Sequence, residues 1–296
     1  MMRKTKLFMD TVVDIRVVTG HSISEEEIEM KINHAFDAFR KVEQACSRFN
    51  PESELMRSSR EINKPIPISP YLFEPLKFAL EIAKGSNGLF DPTIGKLMEN
   101  YGFNQNYLTE KNMESTTDTT ATFSDIVLNE YERSLLLKKP LVIDLGAVAK
   151  GFAIDLAANE LKECDGFIVN AGGDVFAGGI NDKFNRWSIG IQHLYQQEKV
   201  IDCVEISNEA ICTSGSYERR SAKNPSMHHL INPRTKRSEN HLVSLSIIAP
   251  FAMMADAFST VAFLSGVTKS KEIVESTGVK GIFIKSDLDI VKVGGI

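Results

Sequence analysis

Asp256 and Thr260 stand four positions apart inside the apolar run Ala255–Leu264, a spacing that places both on one face of a helix. A carboxylate beside a hydroxyl is an all-oxygen pair of the kind Mg²⁺ accepts, with water and substrate phosphate completing its octahedron. The same pair also reads as a helix-start acid and a threonine bonded to its own backbone. The run Val142-Ile143-Asp144-Leu145-Gly146-Ala147-Val148-Ala149-Lys150-Gly151 reads as a strand turning tightly into a helix. Backbone N–H groups at such a junction suit a phosphate or another anion, while a capping Asp144 and a solvated Lys150 are the plainer reading. It is not a Walker sequence, because the glycine spacing and the Lys-Ser/Thr ending are missing.

Two further segments carry chemistry-bearing residues. Asn170-Ala171-Gly172-Gly173-Asp174 offers either close backbone approach at its glycines or a hairpin turn, and Gly178-Gly179 reads as a hairpin turn. His228 and His229 precede an Asn232-Pro233 turn. On a strand they point to opposite faces, so at most one enters a given cleft. A neutral imidazole beside a substrate hydroxyl is the usual general base near neutral pH, and a pair of solvated histidines is the alternative. No G-x-S-x-G elbow is present, which disfavours a Ser–His–Asp hydrolase.

The elements that must position these residues follow from periodicity. Leu7–Thr19 reads as a β-branched strand. Ser24 with Glu25-Glu26-Glu27 starts a helix whose apolar residues Ile28, Ile32, Ala35, Phe36, Phe39 and Val42 carry it to about Cys46. After the polar stretch Ser47–Ser53, helices fit Pro70–Lys84, capped by Ser69, and Thr93–Asn100. Residues 111–123 (KNMESTTDTTATF) read as an exposed loop. Strands fit Ile126–Leu128, Ser134–Leu137, Leu141–Ile143 and Gly166–Asn170, with a helix over Ala147–Leu161 between the last two. The second half adds strands at Trp187–Gln192, Val200–Ile206, Ala210–Cys212, His228–Ile231 and Val243–Ile248. Helices at Ala255–Leu264 and Lys269–Ser276 precede a closing hairpin of Ile282–Ile284 with Ile290–Val291. With no internal repeat and no linker, the reading is one compact α+β domain.

Composition bounds the function classes. The 296 residues are 43% hydrophobic and 25% charged with a formal charge of -5, which fits a globular protein and argues against a nucleic-acid partner. No run reaches the length a membrane helix needs. The basic Met1–Lys6 start is followed by a strand-like run interrupted by Asp10, Asp14 and Arg16, with no lipobox cysteine, so the expected location is cytoplasmic. Cys46, Cys164, Cys203 and Cys212 are scattered without metal-site spacing and read as reduced thiols.

Taken in order, SRFNPESEL (Ser47–Leu55), GLFDPTIGKL (Gly88–Leu97), IDLGAVAKGFAID (Ile143–Asp155), VNAGGD (Val169–Asp174), TSGSYERR (Thr213–Arg220), HHLINPRT (His228–Thr235) and ADAFSTVAFLSG (Ala255–Gly266) resemble the FAD:protein FMN transferases of the ApbE family. The resemblance runs from about Phe8 to the C-terminus. It implies one T-fold-like domain over residues 1–296, with two intertwined lobes and mixed or antiparallel sheets flanked by helices. It also implies a Mg²⁺-dependent enzyme that cleaves FAD, attaches FMN through a phosphoester to a threonine of an acceptor flavoprotein, and releases AMP. By motif position the FAD contacts would be Phe49, Leu89, Phe90, Asp91, Asp144, Lys150 and Ile231. The metal would be held by the Ala147 carbonyl, Asp256 and Thr260, with Ser259 beside them, and His229 matches the general base. The resemblance leaves room for a homodimer.

Three residues depart from the family pattern. Asn232 replaces an acid, Lys236 replaces a glycine after the Asn-Pro turn, and Ser216 replaces a frequent acid. Asn232 keeps the turn's hydrogen-bonding capacity without its charge, and Lys236 is strained if that position needs a positive φ. These departures lie on the acceptor side and set two rivals beside transfer: hydrolysis of FAD to FMN and AMP, and FAD binding without chemistry.

Overall fold

The chain opens as a hairpin, β1 (Met2–Phe8) and β2 (Thr11–Val17), where the sequence reads as one strand from Leu7 to Thr19. Met9 and Asp10 interrupt it with φ of 53° and 59°, the left-handed pair that matches the twist of a two-residue hairpin. The computed structural model describes residues 1–296 except 21–22, 106–111, 194–195, 197–198 and 222. In α1 (Glu25–Cys46) the Ser24 hydroxyl accepts the Glu27 N–H at 3.2 Å, and the stripe from Ile28 to Val42 is buried. The polar stretch after it ends in a short helix, α2 (Glu54–Ser58), capped by Ser53. β3 (Ile66–Pro67) and α3 (Pro70–Gly85) follow. Ser69 precedes α3 without capping it, because its hydroxyl donates to Glu54. Asp91 accepts the Thr93 N–H at 2.8 Å, which holds Thr93 in a turn and delays α4 (Gly95–Asn100) to Gly95.

Lys111 lies outside the described residues, and residues 112–122 carry no helix or named strand and are mostly exposed. β4 (Ile126–Asn129) and β5 (Ser134–Leu137) come next. Leu141–Ile143, expected as a strand, is buried irregular chain. Pro140 brings no donor to it, and the Asp144 N–H at its end bonds the Pro92 carbonyl at 2.8 Å instead of a neighbouring strand. α5 (Ala149–Leu161) leads to β6 (Gly166–Ala171) and β7 (Asp174–Gly179). Here Gly172-Gly173, with φ of 61° and 97°, form the hairpin turn, whereas Gly178 and Gly179, expected to turn, pair with Phe167 and Gly166 within β7. β8 (Trp187–Gln192), β9 (Val200–Ile206) and β10 (Glu209–Gly215) precede β11 (Ile231–Asn232) and β12 (Arg237–Ser238). The chain closes through β13 (Ser244–Ala249), α6 (Ala252–Ser265), α7 (Val267–Thr277), β14 (Lys280–Ile284) and β15 (Ile290–Val293).

Eight strands make one antiparallel sheet in the order β1-β2-β6-β7-β10-β13-β14-β15. Its central strands are buried on both faces, so they read as near-continuous apolar runs. Phe167, Val169, Ala210, Cys212 and Ile247 face a core shared with α1, α5 and α6. Ile168, Val175, Ile211, Ile248 and Ile282 face the other way, against Trp187, Val204 and Ile206 of the β8–β9 hairpin. Burial of Phe36, Phe39, Phe263 and Phe283 in the first core contributes roughly 1.5–3 kcal/mol each. α5 and α6 meet with their main chains nearly touching: a Cβ at Gly151 would lie 2.5 Å from the Ala252 carbonyl oxygen and 2.6 Å from Met253 Cα. Among the described residues no helix is long and apolar enough to cross a membrane.

Candidate active site

The α5 N-terminus and α6 build the centre of the site. Asp144 Oδ1 accepts the Gly146 N–H at 2.8 Å, an Asx turn that aims the chain into α5 and brings Lys150 into its first turn. Lys150 forms an ion pair with Asp174 and lies 3.7 Å from Asp256 Oδ2. Asp174 is the first residue after the Gly172-Gly173 turn, is 4% exposed, and accepts the Thr213 N–H of β10 at 3.0 Å. Asp256 accepts the Gly151 N–H at 3.3 Å. Burial raises its pKa, and the Lys150 ammonium pulls the other way. Because Gly151 donates to Asp256, the Ala147 carbonyl has no hydrogen-bond partner among the described residues.

Hydroxyls and a further acid surround this pair. Ser214 Oγ lies 2.8 Å from Ser259 Oγ and 3.5 Å from Thr260 Oγ1. Ser259 is fully buried and donates to the Asp256 carbonyl at 2.8 Å, so its hydroxyl is already engaged. Asp155 accepts the N–H groups of Ala252 at 2.6 Å and Met253 at 2.9 Å, satisfying the first turn of α6. Burial, reinforced by the charge of Asp256, pushes Asp155 up to about 6. Among the described residues no three His, Cys, Asp or Glu side chains gather as a metal cage. One buried carboxylate, an orphan carbonyl and a neighbouring hydroxyl are instead a sparse all-oxygen set, which fits Mg²⁺ better than zinc or another soft-ligand metal.

A second group adjoins it through Asp144. Arg48, 6% exposed, donates from Nε to Asp144 Oδ2 at 2.6 Å and from its guanidinium to the Phe103 carbonyl at 2.5 Å. Its guanidinium carbon stands 4.2 Å from the centroid of the half-buried Phe49 ring. Asp91 holds both the N–H and the hydroxyl of Thr93, and burial raises its pKa despite those bonds. The Asp144 N–H bonds the Pro92 carbonyl, so the Asp91 turn and the Asp144 turn are joined. Leu89, Phe90 and Ile231 are 8%, 5% and 1% exposed, and their side chains serve mainly the core.

His228 and His229 do not lie on a strand; the strand begins only at Ile231. Met227 and His228 instead close a loop, in which the Ser238 hydroxyl accepts the His228 N–H and donates to the His228 carbonyl. The His228 ring is buried edge-on to Phe263 of α6, at 6.0 Å between centroids. His229 donates its N–H to the Arg219 carbonyl at 3.0 Å, and its Nδ1 is sealed from water with no hydrogen-bond partner among the described residues. Burial, then the charges of Arg219 and His228, push its pKa down to about 3, against upward pulls from the Arg219 main chain and then Asp144. Asn232 keeps the turn: its Oδ1 accepts the Arg234 N–H at 2.9 Å, and its amide donates to Glu239 at 2.8 Å. Lys236 has φ of 55°, the strained conformation that the lost glycine would relax.

The structure therefore brings Lys150 and Asp256 together, with Thr260 one turn further along α6 and Ala147 just before α5; Arg48 links Phe49 to Asp144, and the Pro92 carbonyl links Asp144 to the Asp91 turn. The loop that carries His229 packs on α6 through His228, and the His229 ring feels the charge of Asp144. Sequence reasoning assigned no role to Arg48, Asp155, Asp174 or Ser214, although Asp174 was signalled by the two glycines before it. Arg48 carried no signal, because its partner is remote in the chain.

The profile of the ApbE family matches residues 9–283. FAD:protein FMN transferase from Escherichia coli K12 is 29% identical over 280 residues, covering 90% of this chain and 79% of that protein. The protein of the same name from Treponema pallidum is 27% identical, covering 99% and 87%. Among solved structures, the ApbE protein of Thermotoga maritima superposes with a TM-score of 0.85 at 25% identity, covering 99% of this chain and 96% of that one. Flavin transferase ApbE from Vibrio cholerae, at 21% identity and TM-score 0.83, covers 98% and 96% and shares the fold.

Proposed function

The chain belongs to the ApbE family, and from that premise we propose that it cleaves FAD, joins FMN through a phosphoester to a threonine of an acceptor flavoprotein domain, and releases AMP. The observation that carries this reading is Lys150 held between Asp174 and Asp256 at the start of α5, near the Ala147 carbonyl, which has no hydrogen-bond partner among the described residues. Such a place takes a pyrophosphate: the ammonium and the helix N-terminus oppose the charge developing on the leaving phosphate.

The residues fit a resident Mg²⁺, which Asp256, the Ala147 carbonyl and Thr260 would hold. Bound there, it would withdraw electron density from the pyrophosphate and ease departure of AMP. Ser259, with its hydroxyl committed, supports Asp256 from behind. Arg48 holds Asp144 and the Phe49 ring in place against the flavin nucleotide. Leu89, Phe90 and Ile231, being buried, offer a ligand little beyond main chain, whereas Asp91 offers a carboxylate.

His229 takes the proton from the acceptor hydroxyl as that oxygen attacks the FMN-side phosphorus. Its depressed pKa keeps the imidazole neutral and able to accept, and arriving phosphate charge raises its basicity. The acceptor-side turn is intact despite the departures at Asn232 and Lys236, which favours transfer over bare hydrolysis.

The deciding assay incubates the protein with FAD and Mg²⁺, with and without a threonine-bearing acceptor domain, and resolves AMP and FMN chromatographically. AMP should appear together with covalent flavin on the acceptor. Free FMN and AMP regardless of acceptor would instead mean a pyrophosphatase, and intact bound FAD would mean a binding protein.

A further inference from the structure

Beside the site lies a charge pattern of which the chemistry above draws on Arg219 alone. Arg219, Arg220, Lys223, Arg234, Lys236 and Arg237 are all exposed, in the loops around β11 and β12. Residues 216–241 contain only Glu218 and Glu239 as acids, in a chain whose formal charge is -5. Glu239 is already engaged by His241 and Asn232. Among the described residues, Arg220, Lys223, Arg234, Lys236 and Arg237 make no ion pair with a carboxylate. Arg220 and Arg234 donate to the main-chain carbonyls of Pro225 and Asn87.

These cations hang from the backbone that holds His229. The Arg219 carbonyl accepts the His229 N–H, and Arg237 pairs with Asn232, next to Ile231. The Tyr101 hydroxyl donates to the Lys236 carbonyl at 2.7 Å, tying the far side of the patch to the end of α4. Exposed cations on an acidic protein attract an anionic partner from a distance and fix its orientation. The patch displays no exposed Phe, Tyr or Trp on which bases could stack, and the chain as a whole repels a polyanionic backbone. An acidic polypeptide fits better.

We propose that this basic face docks an acidic segment of the polypeptide that receives the flavin, presenting its hydroxyl to His229. The inference rests on the transfer reading, but it can be tested without FAD. The probe is a fluorescent peptide with one threonine flanked by glutamates, compared by anisotropy at low salt with its glutamine counterpart. The variant is Arg220→Gln with Lys236→Gly and Arg237→Gln. Glycine relaxes the backbone at position 236, so Lys236→Gly alone supplies a charge loss that does not unsettle the fold. The glutamate peptide should bind more tightly than the glutamine one. The triple variant should weaken it roughly tenfold, the single variant less, and FAD affinity should stay unchanged. Equal binding by the triple variant, or equal binding of both peptides, overturns the proposal. So does displacement of the peptide by a lower concentration of oligouridylate, which would make the face a nucleic-acid surface. Failure of the FAD turnover assay alongside charge-selective peptide binding would count against the transfer reading alone.

Discussion

Arg48 Nε stands 2.6 Å from Asp144 Oδ2, with side-chain exposures of 5% and 19%. The pair joins the segment after α1 to the turn that starts α5, and therefore the Phe49 ring to the Lys150 cluster. Attraction between such charges is offset by the cost of taking them from water, so the pair is better understood as fixing geometry than as adding stability.

Removing one partner is a different matter. Arg48→Leu strands Asp144 and should destabilise the fold by about 3 kcal/mol, read by thermal or denaturant unfolding, and should weaken FAD binding as well. In Arg48→Leu with Asp144→Asn, much of the stability should return while FAD affinity stays low. Recovery of both would reduce Arg48 to a packing residue.

Asp256→Asn should abolish Mg²⁺-dependent FAD turnover without lowering the melting temperature at neutral pH. Burial raises the pKa of Asp256, and Asp155 beside it sits at about 6 against an ordinary 3.8. A raised carboxylate stabilises the fold below its unfolded pKa and loses that contribution as pH rises through the folded value. For Asp155 this loss falls between pH 3.8 and about 6, and the charge of Asp256 enlarges it. The stability gain of the variant over the native protein should therefore grow from pH 4 to pH 7. A variant that melts markedly lower at pH 7 would contradict this.

His229 should not titrate in the range where imidazoles ordinarily do. Its proton signal, identified by its loss in His229→Asn, should hold the neutral position from pH 8 to pH 5, because burial and Arg219 depress its pKa to about 3. The unfolded chain takes up this proton near 6.5 and the native state does not, so His229 withdraws stability as pH falls below that value. A midpoint near 6.5 in the folded protein would show an exposed imidazole and remove the geometric case for a buried base.

Local patterns made most of the fold legible. The stripe of α1, the Ser24 cap and the two-sided apolar strands were readable because each depends on neighbours in sequence. Leu141–Ile143 was misread because apolar β-branched residues report burial and not pairing, and the bonds that settle the matter go to Pro92. The break at Met9-Asp10 was missed because neither residue is a glycine, although both take positive φ. In the site, Asp256 and Thr260 were visible at helical spacing, and Lys150 at a turn. Asp174 and Arg48 gain their meaning only from partners on a helix and a turn remote in the chain, which no window of sequence contains.

Gly151 sits inside α5 with the α6 main chain against it, closer than any side chain allows. Secondary structure and active site make opposite demands at this position. The helix would gain about 1 kcal/mol from alanine, yet one methyl group would wedge α5 away from α6 and lengthen the span from Lys150 to Asp256. A substitution that looks favourable by every local measure would thus alter the dimensions of the proposed pyrophosphate cradle, so at this position it is the smallest side chain that acts as the ruler.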